Sequence, residues 1–449
     1  MIVFNKDIVR ERIKDKDMSN KVVIVGGGAS GLVAAITAAR GGANVTILEH
    51  KDRVGKKILM TGNGKCNLTN MSNLQGKYYS TDEKSLNMIY EAFDRFSAKD
   101  TIDFFESIGL YTKEKRDGGV YPMSEQAACV LDVLRSECEH LKVDIITDCD
   151  IQEIINDKDK KLIKLVKYIR DTNVQNEKNN GKKKAKNKQG EIIGEEKIKL
   201  IADNIILATG GKAAAVAGSD GSGYVYAKKM GHSIVEPLPA LVQLRCKGDY
   251  FKSISGVRTQ AGLKLYVDNQ LVACEEGELQ LTDYGISGIP VFQFSRIAAR
   301  ALYESKPCKV MIDFLPQLPK NPDLEKYSYK KVEEFLSGMV NKKIASLICR
   351  KNGISQSDTI GSIGVKKTVK CVDELRQYEV EVEETNSFDN AQVCCGGVPL
   401  NEVSSDFESL KCKNVYIVGE LLDCDGICGG YNLQWAWTTG IIAGRAVCK

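Results

Sequence analysis

The sequence predicts an α/β fold, in which a Rossmann-type domain is interrupted by a β-rich insert domain that carries a small helical subdomain. Three observations predict it. A glycine-rich βαβ pattern begins at about residue 21, short strand-like segments with turns begin at about residue 241, and a second glycine-rich strand–turn–helix pattern follows residue 414. The 449 residues are too many for one ordinary core, so two or three domains are expected.

The first βαβ unit is the most specific of these patterns. Four apolar residues lead into Gly26-Gly-Gly28-Ala29-Ser30-Gly31, an Ala-rich helix follows to Arg40, and a second strand ends at Glu49. In a dinucleotide site the first glycine permits a sharp turn, the second lets the backbone approach a pyrophosphate, and the third lets the helix pack on the strand. The N–H groups of the helix start suit phosphate, and Glu49 suits a ribose. The alternative is a glycine-rich turn in an α/β protein that binds no phosphate.

Three later loops carry turn residues of the kind that approach a cofactor closely. The first is the stretch Gly55 to Asn70, with Lys57, Asn63, Gly64, Lys65, Cys66 and Asn67. The second is the strand end Thr209-Gly210-Gly211, and the third comprises the turns Gly419-Glu420 and Gly429-Gly430. The Gly429-Gly430 turn opens a helix at Tyr431-Asn432-Leu433 that runs to Val447. The second helix start should favour anionic or electron-rich ligand groups.

The pass along the chain also predicts domain limits. We expect a frayed polar N-terminal extension at 1–20, a discontinuous Rossmann-type domain at 21–240 and 388–449 with a Lys-rich loop at 171–195, a β-rich insert at 241–320 and 366–387, and a helical subdomain at 321–365. The region from Leu241 to Pro316 is interpreted as short strands and turns, with a hairpin turn at Asp268-Asn269. Strands are expected again at Lys370-Cys-Val372 and from Tyr378.

Composition narrows the class of protein. The chain is 43% hydrophobic and 27% charged, and no apolar run approaches the ~18 residues of a membrane helix. The start of the chain lacks the apolar core of a signal peptide, so the fifteen cysteines are interpreted as reduced thiols and the location as cytoplasmic. Six of the eleven residues from Lys178 to Lys188 are lysines without an aromatic neighbour, which favours a solvated loop over a nucleic-acid tether. Only three histidines occur, far apart in sequence, so no metal site is expected.

Taken together, the motifs resemble those of two-dinucleotide-type flavoproteins. The closer resemblance is to a bacterial family of FAD-dependent oxidoreductases often labelled aminoacetone oxidase-like, which also has a member that acts on bile-acid intermediates. The matching segments are Gly26 to Gly31, Thr61 to Asn70, Leu207 to Gly211, Gly218 to Tyr224, Leu281 to Gly288 and Gly429 to Ala436. The family usually has Arg where Lys65 stands, a change that keeps the charge and loses the planar fork.

The resemblance implies a non-covalent FAD held by residues from both ends of the chain. The residues implied are Gly26, Gly28, Ala29, Ser30, Gly31, Glu49, His50, Lys57, Asn63, Gly64, Lys65, Cys66, Asn67, Thr209, Gly210, Gly211, Gly419, Glu420, Gly430, Tyr431, Asn432 and Leu433. The helix that starts at Tyr431 is expected near the isoalloxazine, where its N–H groups would stabilise the charge that develops on reduction. His50 is expected near the adenosine.

The electron donor and acceptor stay open. No second Gly-x-Gly-x-x-Gly begins a βαβ unit, since Gly218-x-x-Gly221-x-Gly223 lacks the preceding strand. Either NAD(P)H docks transiently, or a small organic substrate reduces the flavin and O₂ or an organic acceptor reoxidises it. Two alternatives are an NAD(P)H-dependent reductase of an enone or steroid-like substrate, and a non-catalytic or RNA-associated FAD protein. Substrate and oligomeric state are not defined by these residues.

No catalytic base stands out. Asp283 and Tyr284, in Leu281-Thr-Asp-Tyr-Gly-Ile-Ser-Gly288, are candidates to face the flavin, against a role in a turn. Cys66 is a third candidate, against packing as a small buried hydrophobe. Weaker candidates are Asp423 and Asp425 as acids or bases, and the pairs Cys424/Cys428 and Cys394/Cys395 as redox-active thiols. His232 follows a helix stop and is expected to be structural.

Overall fold

The computed structural model describes residues 10–11, 20–115, 117–157, 160–171, 191–318 and 322–449, with the backbone alone at 10–11 and 157. The chain divides into two compact units. The first comprises Met1–Pro237 and Gly396–Lys449, and the second comprises Leu238–Cys395. The predicted fold class, a Rossmann-type domain with a β-rich insert, is confirmed.

The first unit is built on a five-stranded parallel sheet. Its strands, in spatial order, are Val415–Ile417, Asn204–Leu207, Lys21–Val25, Asn44–Leu48 and Asp144–Ile146. The central strands are almost wholly apolar because a parallel sheet of this kind is covered on both faces. The glycine-rich turn after Val25 therefore lies at the carboxyl end of a central strand, where open α/β sheets bind ligands.

The first and last helices of this unit pack against each other through small residues. Helix Ala29–Arg40 follows the glycine turn, and helix Tyr431–Ala446 ends the chain. A Cβ atom on Gly440 would lie 2.4 Å from the Ser30 carbonyl oxygen, and one on Gly444 would lie 2.8 Å from that of Ala34. Glycine at these two positions lets the helix backbones approach, and this contact brings the two ends of the chain together.

The other elements of the first unit surround this core. The helices are Leu86–Arg95, Ala98–Ser107, Ala127–His140 and Ser222–Lys229, with 3₁₀ turns at Ile58–Gly64, Glu83–Ser85, Ala215–Ala217, Leu400–Glu402 and Gly419–Leu421. The strands form three smaller sheets: Arg10–Glu11 with Ile192–Ala202, Lys160–Arg170 and Cys149–Asp157; Thr69–Asn70 with Gly119–Pro122 and Thr112–Glu114; and Asp425–Gly426 with Tyr78–Tyr79.

The second unit is a closed six-stranded barrel with helices. Around the barrel the strands are Leu244–Cys246, Gly285–Ser287, Gln270–Leu281, Arg258–Val267, Cys308–Asp313 and Tyr378–Thr385. Its helical segments are Phe251–Ile254, Ile289–Tyr303, Leu324–Tyr327, Val332–Ser337, Lys342–Lys351, Ile360–Ile363 and Val365–Arg376. The chain passes between the units in strands Val235–Ala240 and Val393–Gly397. Asp268 and Asn269 have positive φ angles of 50° and 63°, as a tight hairpin requires.

Two interpretations of the second unit were wrong. The region read as strands and turns from Leu241 to Pro316 contains the helix Ile289–Tyr303, which has Pro290 in its first turn and buries Val291, Phe294 and Ala298 at helical spacing. The strand expected at Lys370 to Val372 is part of helix Val365–Arg376. The buried residues of this helix are Thr368, Cys371, Val372 and Leu375, which recur at helical spacing. This spacing indicates a helix, although the short run with Val372 taken alone resembles a strand.

The predicted N-terminal extension and the predicted Lys-rich loop are only partly covered by the described residues. Residues 172–190 of the Lys-rich loop lie outside the described residues, and the strands on either side pair as an antiparallel hairpin. Of the N-terminal extension, Arg10–Glu11 forms a short strand parallel to Ile192–Ala202, whereas fraying was expected there. Within the described ranges, no helix has both the length and the hydropathy needed to cross a bilayer.

Candidate active site

Two of the three motif glycines are required by the packing of the protein itself. Gly26 has a φ of +102°, and a Cβ there would lie 2.4 Å from the Ala208 carbonyl oxygen on the neighbouring strand. A Cβ on Gly31 would lie 2.0 Å from the Gly26 carbonyl oxygen. These distances agree with the sequence-based roles of a sharp turn and of close helix–strand packing.

Gly28 is different, because nothing in the protein requires it to be glycine. It has an ordinary φ of −82°, and a Cβ there would have no neighbouring atom within 4 Å. No side chain caps the helix that begins at Ala29, and its first turn holds no acid. Gly28 therefore borders open space at a helix start, a cradle that fits the pyrophosphate of a dinucleotide.

Glu49 and His50 lie beside this cradle. The Glu49 side chain is only 7% exposed, and its two carboxylate oxygens accept hydrogen bonds from the backbone N–H of Gly27 at 3.0 Å and of Lys51 at 2.9 Å. His50 Nε2 is buried and has no hydrogen-bond partner among the described residues. An Asp220 carboxylate oxygen lies 3.8 Å from it, and Glu49 Oε1 lies 3.6 Å from the other ring nitrogen. A buried ring nitrogen without a partner fits a polar ligand such as a nucleoside.

The loop after Leu207 folds back towards the same place. Gly210 has a φ of +71°, and a Cβ on Gly218 would lie 3.6 Å from His50 Cε1. A Cβ on Gly211 would lie 3.0 Å from Glu420 Oε1, and Glu420 is in turn paired with Lys57 at 2.7 Å. Gly218 thus lies beside His50, and Gly211 lies beside the Lys57–Glu420 ion pair.

The Gly419 turn is fixed against the first helix. A Cβ on Gly419 would lie 2.8 Å from Ser30 Oγ, and its φ is +69°. The Gly419 N–H donates to Thr439 Oγ1 at 2.9 Å, and its carbonyl accepts from Trp435 Nε1 at 3.1 Å. The Gly419 turn, the first helix and the last helix are therefore joined by contacts between buried groups.

The loop Ile58–Gly64 and the residues after it have an unusual backbone. Gly62, Asn63, Gly64 and Cys66 all have φ between 55° and 80°. Asn63 and Gly64 are exposed, whereas Cys66 is completely buried in the core of the unit. Burial raises the pKa of the Cys66 thiol to about 11, against a smaller opposing effect of its hydrogen bond with Thr61, so the thiol stays protonated. This favours the packing role of Cys66 over a catalytic one.

The second helix start is packed against that loop. Gly430 has a φ of +97°, and a Cβ there would lie 2.8 Å from the carbonyl carbon and oxygen of Thr69 and 3.0 Å from Asn67 Oδ1. Asn67 Oδ1 is itself buried and has no hydrogen-bond partner in the described part of the chain. An acceptor left in this state beside a helix N-terminus fits a ligand that donates an N–H, as a flavin ring does.

Side chains after Gly430 hold the helix start in place. Asn432 forms a two-way hydrogen bond with the Gly426 backbone, at 2.8 Å and 2.7 Å, and Tyr431 and Leu433 are buried and half-buried. Gln434 lies in the matching segment Gly429 to Ala436, but the sequence predicted no role for it. Its side chain is 1% exposed and accepts from Thr69 Oγ1 at 2.5 Å and Thr101 Oγ1 at 2.9 Å, while it donates to Thr438 Oγ1 at 2.9 Å. A Gln directly before the apolar run Trp435-Ala-Trp437 was the signal that could have revealed this network.

The catalytic candidates of the second unit differ from each other. Asp283 is exposed in a turn closed by the Thr282–Gly285 hydrogen bond, which agrees with the turn role. Tyr284 Oη accepts from Asn386 Nδ2 at 2.9 Å, and the Arg245 guanidinium lies 4.9 Å from the centre of the tyrosine ring. Asn386 and Arg245, which are distant in sequence from Tyr284, were not predicted.

The remaining candidates have internal partners. The Asp423 carboxylate accepts from Thr81 N at 2.9 Å and Ser80 Oγ at 3.2 Å. His232 bridges Glu402 at 2.8 Å and Ser409 at 2.7 Å in the core, a structural arrangement. All fifteen cysteines lie in described residues, and Cys424 and Cys395 are among the buried ones. Across the described ranges, no three His, Cys, Asp or Glu side chains form a group that could hold a metal.

A known family matches most of the chain. The family described as "HI0933-like protein Rossmann domain" matches residues 20–172 and 161–446. The chain is 42% identical over 440 residues to the 3-dehydro-bile acid delta(4,6)-reductase of Clostridium scindens, covering 96% of this chain and 99% of that one. It is 25% identical over 434 residues to the ribosomal RNA dihydrouridine synthase of Haemophilus influenzae, covering 95% and 98%.

Among solved structures, the chain is similar to the 3-ketosteroid-delta4-(5alpha)-dehydrogenase of Rhodococcus jostii RHA1. The TM-score is 0.44 at 15% identity, with 98% of this chain and 99% of that chain covered. A 3-ketosteroid delta1-dehydrogenase of Sterolibacterium denitrificans gives a TM-score of 0.46 at 12% identity, with 96% and 100% covered.

Proposed function

This chain belongs to the HI0933-like protein family, and on that premise we propose that it saturates a carbon–carbon double bond conjugated to a ketone in a small steroid-like substrate. The protein is an FAD-dependent oxidoreductase. The proposal concerns the substrate, the non-covalent attachment of FAD, the electron donor and the residues at the reacting atoms.

The names of two relatives support a common reaction. One relative is a delta(4,6)-reductase of a 3-dehydro-bile acid, and the other is a dihydrouridine synthase. Both names describe the addition of two hydrogens to a C=C bond that is activated by a carbonyl group. The steroid-like substrate is preferred because the bile-acid reductase is 42% identical and the dihydrouridine synthase 25% identical, each over most of the chain.

The observation that carries the cofactor part is the open cradle at Gly28. Since a Cβ at Gly28 would meet no protein atom, glycine there is explained by a ligand that lies against the backbone. The Gly28–Gly31 backbone would hold the pyrophosphate, Glu49 and His50 the adenosine, and Asn67 with the start of helix Tyr431–Ala446 the isoalloxazine. FAD supplies reversible two-electron chemistry when bound, and these residues orient it.

Saturating an enone also requires a proton for the carbon next to the carbonyl, and we retain Tyr284 as the candidate donor. Its hydroxyl oxygen accepts from Asn386, so its own proton is free for another acceptor. Asp283 stays a weaker candidate because it is exposed in a turn. The one five-stranded parallel sheet in the described residues already carries the Gly26–Gly31 site, which leaves no second sheet of this kind there to hold a nicotinamide dinucleotide. We therefore further propose that NAD(P)H docks only transiently as the reductant.

The test is an anaerobic half-reaction. Purified protein is first reduced with NADPH or by light, and 3-oxochol-4-en-24-oic acid or a uridine-rich RNA is then added. A small amine is added to a separate sample of oxidised protein. We expect NADPH to bleach the flavin, and the enone to restore its absorbance with loss of the enone band. Restoration by the RNA alone would replace the steroid-like substrate with a nucleic acid. Bleaching of oxidised protein by the amine would show the reaction to run as an oxidation.

Acid denaturation of the same preparation tests how FAD is attached. All the yellow colour should enter the supernatant as FAD. Colour that stays with the precipitated protein would show a covalent bond.

A further inference from the structure

The hairpin that pairs with the cofactor loop has one buried and one exposed face. Its strands Thr112–Glu114 and Gly119–Pro122 pair with Lys113 opposite Tyr121. Val120 and Pro122 are buried. Because side chains alternate between the two faces of a strand, the other face carries Tyr111, Lys113, Tyr121 and Met123. Lys115 shares this face, since its Nζ lies 4.0 Å from the centre of the Tyr121 ring.

This hairpin face combines apolar groups with an excess of positive charge. Tyr111 is 66% exposed and Met123 is 58% exposed, although a soluble protein usually buries large side chains of this kind where it can. Three lysines converge on the single carboxylate of Glu125: Lys113 at 2.9 Å, Lys65 at 3.0 Å and Lys115 at 3.5 Å. A second carboxylate, that of Asp117, also lies near Tyr121, so three positive charges meet two negative charges on this face.

The carboxylate stays ionised over the whole physiological range. Hydrogen bonds from Lys113 and Lys65 lower the pKa of Glu125 to about 2. Glu125 has a φ of +51° in the turn that follows Pro122, a backbone conformation that a non-glycine residue adopts at some cost. One carboxylate, held in a strained turn, thus partly neutralises a set of lysines that could accept a second anion.

The hairpin face is also tied directly to the candidate flavin loop. Lys65 precedes Cys66 and Asn67, the Leu68 N–H donates to the Val120 carbonyl at 2.8 Å, and Thr69 pairs with Val120. A Cβ on Gly62 would lie 3.7 Å from the Tyr121 ring. A molecule bound on this face would therefore lie next to the loop that we assign to the cofactor.

We propose that Lys113 and Lys115, with Lys65, bind the carboxylate of an amphipathic acid substrate, while Tyr111, Tyr121 and Met123 contact its apolar body. The proposal rests on the proposed function, because it assigns a charged group to the same steroid-like substrate. Charge complementarity selects this occupant. The face offers a net positive charge beside exposed apolar surface, which complements a rigid apolar molecule that carries one carboxylate.

The test compares an acid with its neutral ester. 3-Oxochol-4-en-24-oic acid and its methyl ester share the enone and the apolar body and differ in one charge. We expect wild type to favour the acid, and the variant Lys113→Gln/Lys115→Gln to raise KM for the acid about 5- to 20-fold while KM for the ester and kcat for both stay unchanged. Lys99→Gln, which removes an exposed lysine of helix Ala98–Ser107, is the matched control and should change neither substrate.

The variant Glu125→Gln should change KM for the acid in the opposite direction. Removing the competing carboxylate should lower KM for the acid about 2- to 5-fold and leave the ester unaffected. Equal changes for acid and ester in the lysine variant, or no change for either, would overturn the proposal. A rise in KM for NADPH instead of the acid would assign the face to the reductant and would overturn it too.

Direct binding separates this proposal from the proposed function. Equilibrium dialysis of the acid and of the ester against oxidised, FAD-loaded wild type needs no turnover. Tighter binding of the acid that weakens with added salt is expected even if the protein reduces neither compound. Equal affinity at low salt would overturn the proposal, and this measurement also decides the matter if the double variant does not fold.

Discussion

Two of the glycine-led helix starts in the first unit, those at Gly28 and Gly430, differ in what surrounds the glycine. At Gly28 a Cβ would meet no atom within 4 Å, whereas at Gly430 it would lie 2.8 Å from the backbone of Thr69. The first glycine leaves room for something outside the protein, and the second leaves room for the protein's own chain. The same sequence signal, glycine before a helix, therefore has two different physical causes.

The largest expected effect is at Gly430. Valine there would adopt a φ of +97° and overlap the Thr69 carbonyl, so we expect Gly430→Val to lower the free energy of unfolding by about 3 to 5 kcal/mol, both without and with FAD. Urea denaturation of the apo and FAD-loaded proteins measures it. Weaker FAD binding in this variant would follow from misplacement of the helix start. A variant of wild-type stability would remove the distinction between the two glycines.

At Gly28 the effect should fall on the ligand and not on the fold. Gly28→Val keeps an ordinary φ and meets no protein atom, so apo stability should stay within about 1 kcal/mol of wild type. Its side chain would occupy the cradle, and FAD affinity should fall by about 100-fold or more. Fluorescence titration of apo-protein with FAD measures the affinity.

Gly194→Val, a matched change in the strand Ile192–Ala202, is the control for Gly28→Val and should leave FAD affinity unaltered. Normal FAD binding by Gly28→Val would show that the pyrophosphate lies elsewhere.

Cys66, in the loop that packs against Gly430, makes a pH-dependent contribution to the free energy of unfolding. Burial raises the pKa of this thiol to about 11 in the folded protein, from an ordinary value near 9.0. The unfolded chain loses this proton first as pH rises, so the stability is fully present below about pH 9 and is lost progressively up to about pH 11. The loss attributable to Cys66 is about 2 to 3 kcal/mol.

Comparing the stability of wild type and Cys66→Ala between pH 8 and pH 11 isolates this contribution, with the exposed Cys274→Ala as control. The difference between wild type and Cys66→Ala should shrink as pH rises. A constant difference across that range would mean that Cys66 does not titrate as a buried thiol.

The smallest expected effect concerns the polar network that fixes the second helix start. Gln434→Met keeps the size of the side chain and removes its oxygen and nitrogen. Thr101 and Thr438 can donate to the backbone carbonyls of Ser97 and Phe96, which leaves chiefly the Thr69 hydroxyl without a partner. We expect a loss of about 1 to 2 kcal/mol in chemical denaturation.

Gln434→Met should also shift the flavin midpoint potential slightly, because the helix start would be less firmly held. Thr438→Val, which removes a hydroxyl farther along the same helix, is the control and should destabilise without moving the potential. A change of potential in both variants alike would indicate a general loosening of the core.

Local patterns predicted the elements whose cause lies within a few residues. The strand Lys21–Val25, its glycine turn and the helix Ala29–Arg40 follow from apolar runs and glycine positions that the chain carries in sequence. The helices Ile289–Tyr303 and Val365–Arg376 were missed because short apolar runs next to turns are compatible with either a strand or a helix, and only the face that is buried decides between them.

By itself, the sequence predicted a dinucleotide site at Gly26 to Gly31 and indicated which loops carry residues suited to a flavin. Backbone conformation at a glycine turn is a local property, so neighbouring residues suffice to indicate it. Only the tertiary structure decided that Gly430 packs on Thr69, that Gln434 joins Thr69 to Thr101, and that Lys65, Lys113 and Lys115 meet at Glu125. These contacts join residues tens to hundreds of positions apart, and no local pattern records which distant side chain will fill a given space once the core has packed.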